Sequence, residues 1–203
     1  MNNTHCIKRP FITLVAALCL SLANSASYAD FDKGLDAFDR QDYTTAFEHF
    51  KDPAEQGNVY AQSYLGNMYA NGQGVVKNEQ IAVEWFQKAA EQESAEAQYI
   101  LGLMYANGKG VVKNESTALE WYTKAAEQGL AEAQYALGLM YTNGQGVVKD
   151  YQTAYFWALL ASADGDEDTK RATKKIFEIT EKELTPQQKQ TAQNNVTQWQ
   201  SKY

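Results

Sequence analysis

Apolar and polar positions alternate at helical spacing through most of the chain. Between residues 59 and 71, Ala61, Leu65, Met68 and Tyr69 fall on one stripe of a helix. Asn71-Gly72-Gln73-Gly74 then ends it, because Asn and Gly tolerate the positive φ that a helix C-terminus needs. Val75-Val76 tuck back toward the core and Asn78 caps a second helix, whose inner stripe is Ala82, Trp85, Phe86, Ala89 and Ala90. The predicted unit is a helix–turn–helix hairpin.

The pattern repeats every 36 residues without a gap, over 59–94, 95–130 and 131–166. The first and second copies agree at 23 of 36 positions and the second and third at 21, so the repeat cannot be accidental. Gly66 returns as Gly102 and Gly138. A mid-helix Gly costs about 1 kcal/mol relative to Ala, so its recurrence implies a neighbour too close for a Cβ. One hairpin cannot bury both its stripes, and stacking of hairpins must supply the core.

The ends are modified copies. Residues 31–58 keep Ala46, Phe50 and Ala54 in register, but Gly34 precedes Gly66 by 32 residues and no Gly-x-Gly-Val-Val loop intervenes. They form a partial N-terminal repeat with a shortened loop. After Gly165 the frame dissolves, and 167–203 reads as C-terminal capping helices. Ile176, Phe177 and Ile179 face inward on the first of these, and Thr185-Pro186-Gln187-Gln188 opens the second with a capping box.

The frame Ala-Gln-x-x-Leu-Gly-x-Met-Tyr-x-x-Gly-x-Gly-Val, followed by Trp-Tyr/Phe-x-Lys-Ala-Ala-Glu-Gln-Gly, resembles the Sel1-like repeat, a longer relative of the tetratricopeptide hairpin. The resemblance implies an all-α, right-handed α-solenoid of 36-residue hairpins with a C-terminal helical cap. It further implies an interaction scaffold, periplasmic or secreted in bacteria, that regulates envelope signalling or meets a host. One branch of the family is rich in cysteine, binds penicillins and has been called β-lactamase. These repeats lack that branch's paired cysteines.

Residues 1–29 read as a secretory signal peptide. Lys8 and Arg9 precede an apolar run from Phe11 to Ala23, and Ser27-Tyr28-Ala29 supplies small residues for cleavage after Ala29. A retained anchor would want about 20 apolar residues, more than this run offers. Lipidation at Cys19 would want a small residue where Leu18 stands. Cleavage would remove both cysteines, Cys6 and Cys19, and leave no transmembrane segment. A mature chain without disulfides relies on its apolar core.

The whole chain carries 18 basic and 25 acidic residues, a net −7, which argues against a nucleic-acid partner. The charge is uneven: residues 30–166 hold 9 basic and 20 acidic groups, and 167–203 hold 7 and 5. An acidic array would draw basic partners.

The sequence offers little for catalysis. His49 is the one histidine after residue 29, and no Gly-x-Ser-x-Gly, His-Glu-x-x-His or Ser-x-x-Lys occurs there. Gly108-Lys109-Gly110 is a hairpin turn, since the same turn recurs without lysine at 72–74 and 144–146. Asp164 to Asp168 alternates carboxylates but lacks the Gly and Glu of an EF-hand loop at 169 and 175. No catalytic residue, cofactor or metal site is expected.

The first helices of such hairpins line a concave side. With Leu65, Gly66 and Tyr69 buried, the groove-facing positions are 60, 63, 67 and 70 and their equivalents. They hold Tyr60, Ser63, Asn67 and Ala70 in the first copy. The second copy places Glu96, Tyr99, Leu103 and Ala106 there, and the third Glu132, Tyr135, Leu139 and Thr142. A ladder of Tyr99, Leu103, Tyr135 and Leu139 edged by Glu96 and Glu132 would suit a protein or peptide partner, basic or amphipathic. The competing expectation is that these side chains simply pack between hairpins. A cell-envelope hydrolase and a secreted host-interaction factor are the alternatives to a scaffold.

Overall fold

A computed structural model describes residues 29–201, which form ten helices and no strand. The signal-peptide assignment for 1–29 therefore lies almost wholly outside the described residues. Helix α1 covers 29–39 and pairs in sequence with α2 (Tyr43–Glu55). Three hairpins follow: α3 (Val59–Asn71) with α4 (Glu79–Glu91), α5 (Ala95–Asn107) with α6 (Glu115–Glu127), and α7 (Ala131–Asn143) with α8 (Tyr151–Asp164). Helices α9 (Glu167–Glu183) and α10 (Pro186–Gln200) end the chain. Each second helix packs on the first helix of the next hairpin, so the protein is an all-α solenoid.

Local chemistry sets each boundary. Asn58, Asn78, Ser94, Asn114 and Asp150 each accept a backbone N–H of the first turn they precede. Gly72, Gly108 and Gly144 close α3, α5 and α7 in the left-handed conformation. The second glycine of each turn answers to sterics as well. At Gly74, Gly110 and Gly146 a Cβ would run into the backbone of Tyr43, Glu79 and Glu115, at the start of the preceding hairpin's second helix. The Gly-x-Gly turn is thus a contact between hairpins as well as a turn within one.

The mid-helix glycines show how each hairpin closes. A Cβ on Gly34 would lie 2.5 Å from the Phe50 ring, on Gly66 2.9 Å from Phe86, and on Gly102 2.5 Å from Tyr122. In every case the close neighbour is an aromatic ring on the hairpin's own second helix, 36 residues from its equivalent. Phe50 and Phe86 are almost wholly buried, and Ala37, Ala46, Ala61, Ala82 and Ala89 let the helices approach around them. Trp85 and Trp121 sit less deeply than the stripe implied: they are half-buried, each with a lysine ammonium over the ring, 3.8 Å for Lys88 and 4.2 Å for Lys124.

The third hairpin breaks this rule. The residue equivalent to Phe86 and Tyr122 is Ala158, and the neighbour of Gly138 is Ile176 of α9, 2.9 Å from the would-be Cβ. Helix α9 lies against both α7 and α8, while α10 packs on α8 from another side through Val196 and Trp199. The last two helices do not pair with each other as a hairpin; they straddle α8.

Candidate functional site

Among the described residues no group of three or more metal-ligating side chains forms, and no helix is long and apolar enough to cross a membrane. His49 is partly buried, with Nδ1 3.8 Å from a carboxylate oxygen of Asp30. The clearest constellation lies on the face of the first helices α5 and α7. There Tyr99, Leu103, Ala106, Tyr135 and Leu139 line an open groove of about 200 Å³.

Helical spacing produces this lining. Tyr99 and Leu103 are one turn apart on α5, and Tyr135 and Leu139 repeat them on α7. The floor is Tyr122, held beneath Gly102, with its ring centroid 5.7 Å from that of Tyr99. Burial raises the Tyr122 hydroxyl pKa far above the ordinary tyrosine range, with Tyr99 adding to the effect. The Tyr99 pKa is raised too, first by burial and then by the charges of Glu132 and Tyr135. Both phenols therefore stay protonated and able to donate at any physiological pH. Glu115 lines the groove and the exposed Glu132 acts on the Tyr99 phenol, whereas Glu96, expected at the edge, is exposed but is not part of the lining.

The remaining positions divide by repeat. Leu103 is 36% exposed and also borders a second, more polar cleft that contains Asn67, Ala70, Lys77 and Lys109. Ser63 turns its hydroxyl back onto the Val59 carbonyl. Tyr60 is 70% exposed, with Phe31 its nearest ring at 6.4 Å. Thr142 is buried and bonded to the Gly138 carbonyl, so it is structural and does not face a groove. Leu139 and Tyr135 pack partly against Ile176 and Phe177, because α9 covers the far side of the groove. The ladder is therefore open between α5 and α7 and closed beyond α7.

Tyr122 was not among the groove positions read from the sequence. The available signal was the change from Phe86 to Tyr122 at an otherwise aromatic core position, which brings a hydroxyl to a site where the first repeat has none.

A solenoid of stacked hairpins with a side-chain-lined groove defines the class: a helical repeat scaffold, a fold that generally mediates protein–protein interaction. The Sel1 repeat matches residues 59–94, 95–130 and 131–166, and the chain belongs to that family. The chain is similar to the crystal structure of a Sel1 repeat protein from Oxalobacter formigenes at 40% identity and a TM-score of 0.65. That match covers 68% of this chain and 57% of the other. It is similar also to c5321 of uropathogenic Escherichia coli, a protective antigen displaying an SLR fold, at 34% identity and a TM-score of 0.59 over 89% of this chain and 47% of that one. Cysteine rich protein B of Helicobacter pylori is 28% identical, with a TM-score of 0.51 over 64% of this chain and 93% of its own. The chain spans about half the length of the first two structures. No curated protein matches it significantly.

Proposed function

We propose that the protein is an exported, non-enzymatic adaptor that binds a segment of another protein in the groove between α5 and α7. The observation that carries this reading is the groove itself: Tyr99, Leu103, Tyr135 and Leu139 over a Tyr122 floor, with Glu115 in the lining and Glu132 close enough to act on the Tyr99 phenol. Tyrosines offer contact area with little rotamer entropy to lose, and their hydroxyls can meet the backbone of an incoming chain. The acidic rim and the −11 of residues 30–166 favour a basic or amphipathic segment. The leader-like residues 1–29 support a periplasmic or secreted address, where an envelope protein or sensor domain is the natural partner.

Capture from envelope extract with residues 30–203, beside a Tyr99→Ala/Tyr135→Ala variant of equal helicity by circular dichroism, tests the reading. A partner held by the wild type and lost by the variant supports the groove. A partner held equally by both moves the interface elsewhere. The likeness to c5321, a protective antigen, favours one second reading, action on a host molecule. Recovery of the protein only in the periplasmic fraction would count against it.

A further inference from the structure

The repeats carry a second ladder, made of glutamines. Gln62 donates through Nε2 to the Ala54 carbonyl at 3.0 Å, and its Oε1 accepts from Gln92 Nε2 at 2.8 Å. One repeat later Gln98 donates to the Ala90 carbonyl at 3.1 Å and accepts from Gln128 at 2.8 Å. Each of these glutamines donates once and accepts once, and so ties a first helix to the two second helices around it. In the third repeat Gln134 donates to the Ala126 carbonyl at 3.3 Å, which fixes its amide orientation. The position that should supply the second donor is Asp164, 36 residues after Gln128, and an ionised carboxylate has no hydrogen to give. Gln134 is 1% exposed, and its Oε1 has no partner.

Gln134 borders a cleft. Gln134 and Asp164 both line a depression of about 340 Å³, together with Glu127, Gln128 and the indole of Trp199. An acceptor-only amide oxygen, two carboxylates and an apolar wall are what a group with several N–H donors, one positive charge and an alkyl stem would meet. A buried acceptor left unpaired is unfavourable, so a donor arriving from outside recovers what the lost glutamine supplied. We propose that this cleft, at the junction of α6, α7, α8 and α10, is a binding site for an organic ammonium group. The charge meets Asp164 and Glu127, one N–H goes to Gln134 Oε1, and the stem lies along Trp199. The group is a free alkylamine or the side chain of a lysine on another chain.

The site is distinct from the tyrosine groove and is tested on its own. The residue 30–203 protein is titrated with n-butylammonium, with a Gly-Lys-Gly peptide blocked at both termini, and with tetramethylammonium. The Trp199 indole and Gln134 side-chain amide resonances are followed by NMR at constant ionic strength. Saturable shifts with the first two and none with tetramethylammonium, which has charge but no N–H, support the site. The Asp164→Gln variant restores the donor that the other repeats carry. It should lose those shifts and unfold about 2–4 °C higher. Saturation by the peptide at lower concentration than by butylammonium assigns a partner chain, and the reverse assigns a free amine. No shift with either amine, an equal shift with tetramethylammonium, or shifts undiminished in Asp164→Gln would overturn the proposal and leave the cleft to water.

Discussion

The second and third hairpins begin almost alike and end differently. Helices α5 and α7 share Glu, Ala, Gln, Tyr, Leu, Gly, Leu, Met and Tyr in one frame, yet α6 and α8 have diverged. Where α6 has Glu120, Tyr122 and Lys124, α8 has Phe156, Ala158 and Leu160. The cause is what covers each helix. Helix α6 keeps a solvent face, with Lys124 and Glu127 exposed, whereas α8 is flanked by α9 and α10 and buries Tyr155, Trp157 and Leu160. The array stops because a side chain from outside the hairpin takes the place of its own aromatic. The groove stays open only where that aromatic remains as its floor.

The sharpest way to break this comparison is to remove one filler of each kind. Phe86→Ala deletes the ring that closes the first hairpin as Tyr122 closes the second, and should destabilise by about 3–5 kcal/mol, and Ile176→Ala by about 2–5 kcal/mol. The two losses should differ in reach. The first lowers the unfolding midpoint of all the repeats together. The second releases α9 first, with amide exchange rising across Glu167–Glu183 before it rises in α5. Simultaneous loss of protection in both variants would mean that α9 is an integral repeat and not a replaceable cover.

A smaller effect separates the two closures by their glycines. In Gly102→Ala the new Cβ would meet the body of the Tyr122 ring at 2.5 Å, so the ring must move and about 1–3 kcal/mol is lost. In Gly138→Ala the nearest atom is the tip of Ile176 at 2.9 Å, which can swing away. The gain in helix propensity, about 1 kcal/mol, should leave that variant near neutral. Thermal unfolding followed by circular dichroism distinguishes them, and equal losses would show that the Ile176 contact is as rigid as the ring.

The hairpins, their turns and their caps could be read from the chain because each depends on residues close in sequence and repeated three times. Asn71-Gly72 ends α3 and Asn78 starts α4 with no help from elsewhere. Placement of Tyr99, Leu103, Tyr135 and Leu139 along one face also follows from helical spacing. What the period could not carry is whatever happens once. Ile176 reaching over Gly138 requires the path of α9, which no repeat foreshadows. The glutamine ladder links side chains 30 residues apart and shows itself only when the pairs are seen bonded. Even so, the exchange of Gln128 for Asp164 at the same register was a visible mark that the ladder ends there.

The smallest expected effect is one of pH, and it contrasts Asn114 with Asp150 at the same place in successive repeats. Asn114 accepts the Thr117 amide at 3.1 Å and has no proton to gain. Asp150 accepts the amides of Gln152 and Thr153 and the Thr153 hydroxyl. Partial burial pushes its pKa up, but these hydrogen bonds prevail and hold it below its ordinary value. Asp166 at the start of α9 is lowered as well, chiefly by the Thr169 amide. A carboxyl depressed in the folded state stabilises at every pH above its unfolded pKa, and that contribution is lost as pH falls through the folded one. Below pH ~4, then, the starts of α8 and α9 should loosen while the start of α6 does not. Amide exchange at Thr153, Thr169 and Thr117 reads this directly. Asp150→Asn should make the Thr153 amide as indifferent to acid as Thr117 while leaving Thr169 sensitive. Equal loosening at Thr117 would show that acid acts on the array as a whole and not through its caps.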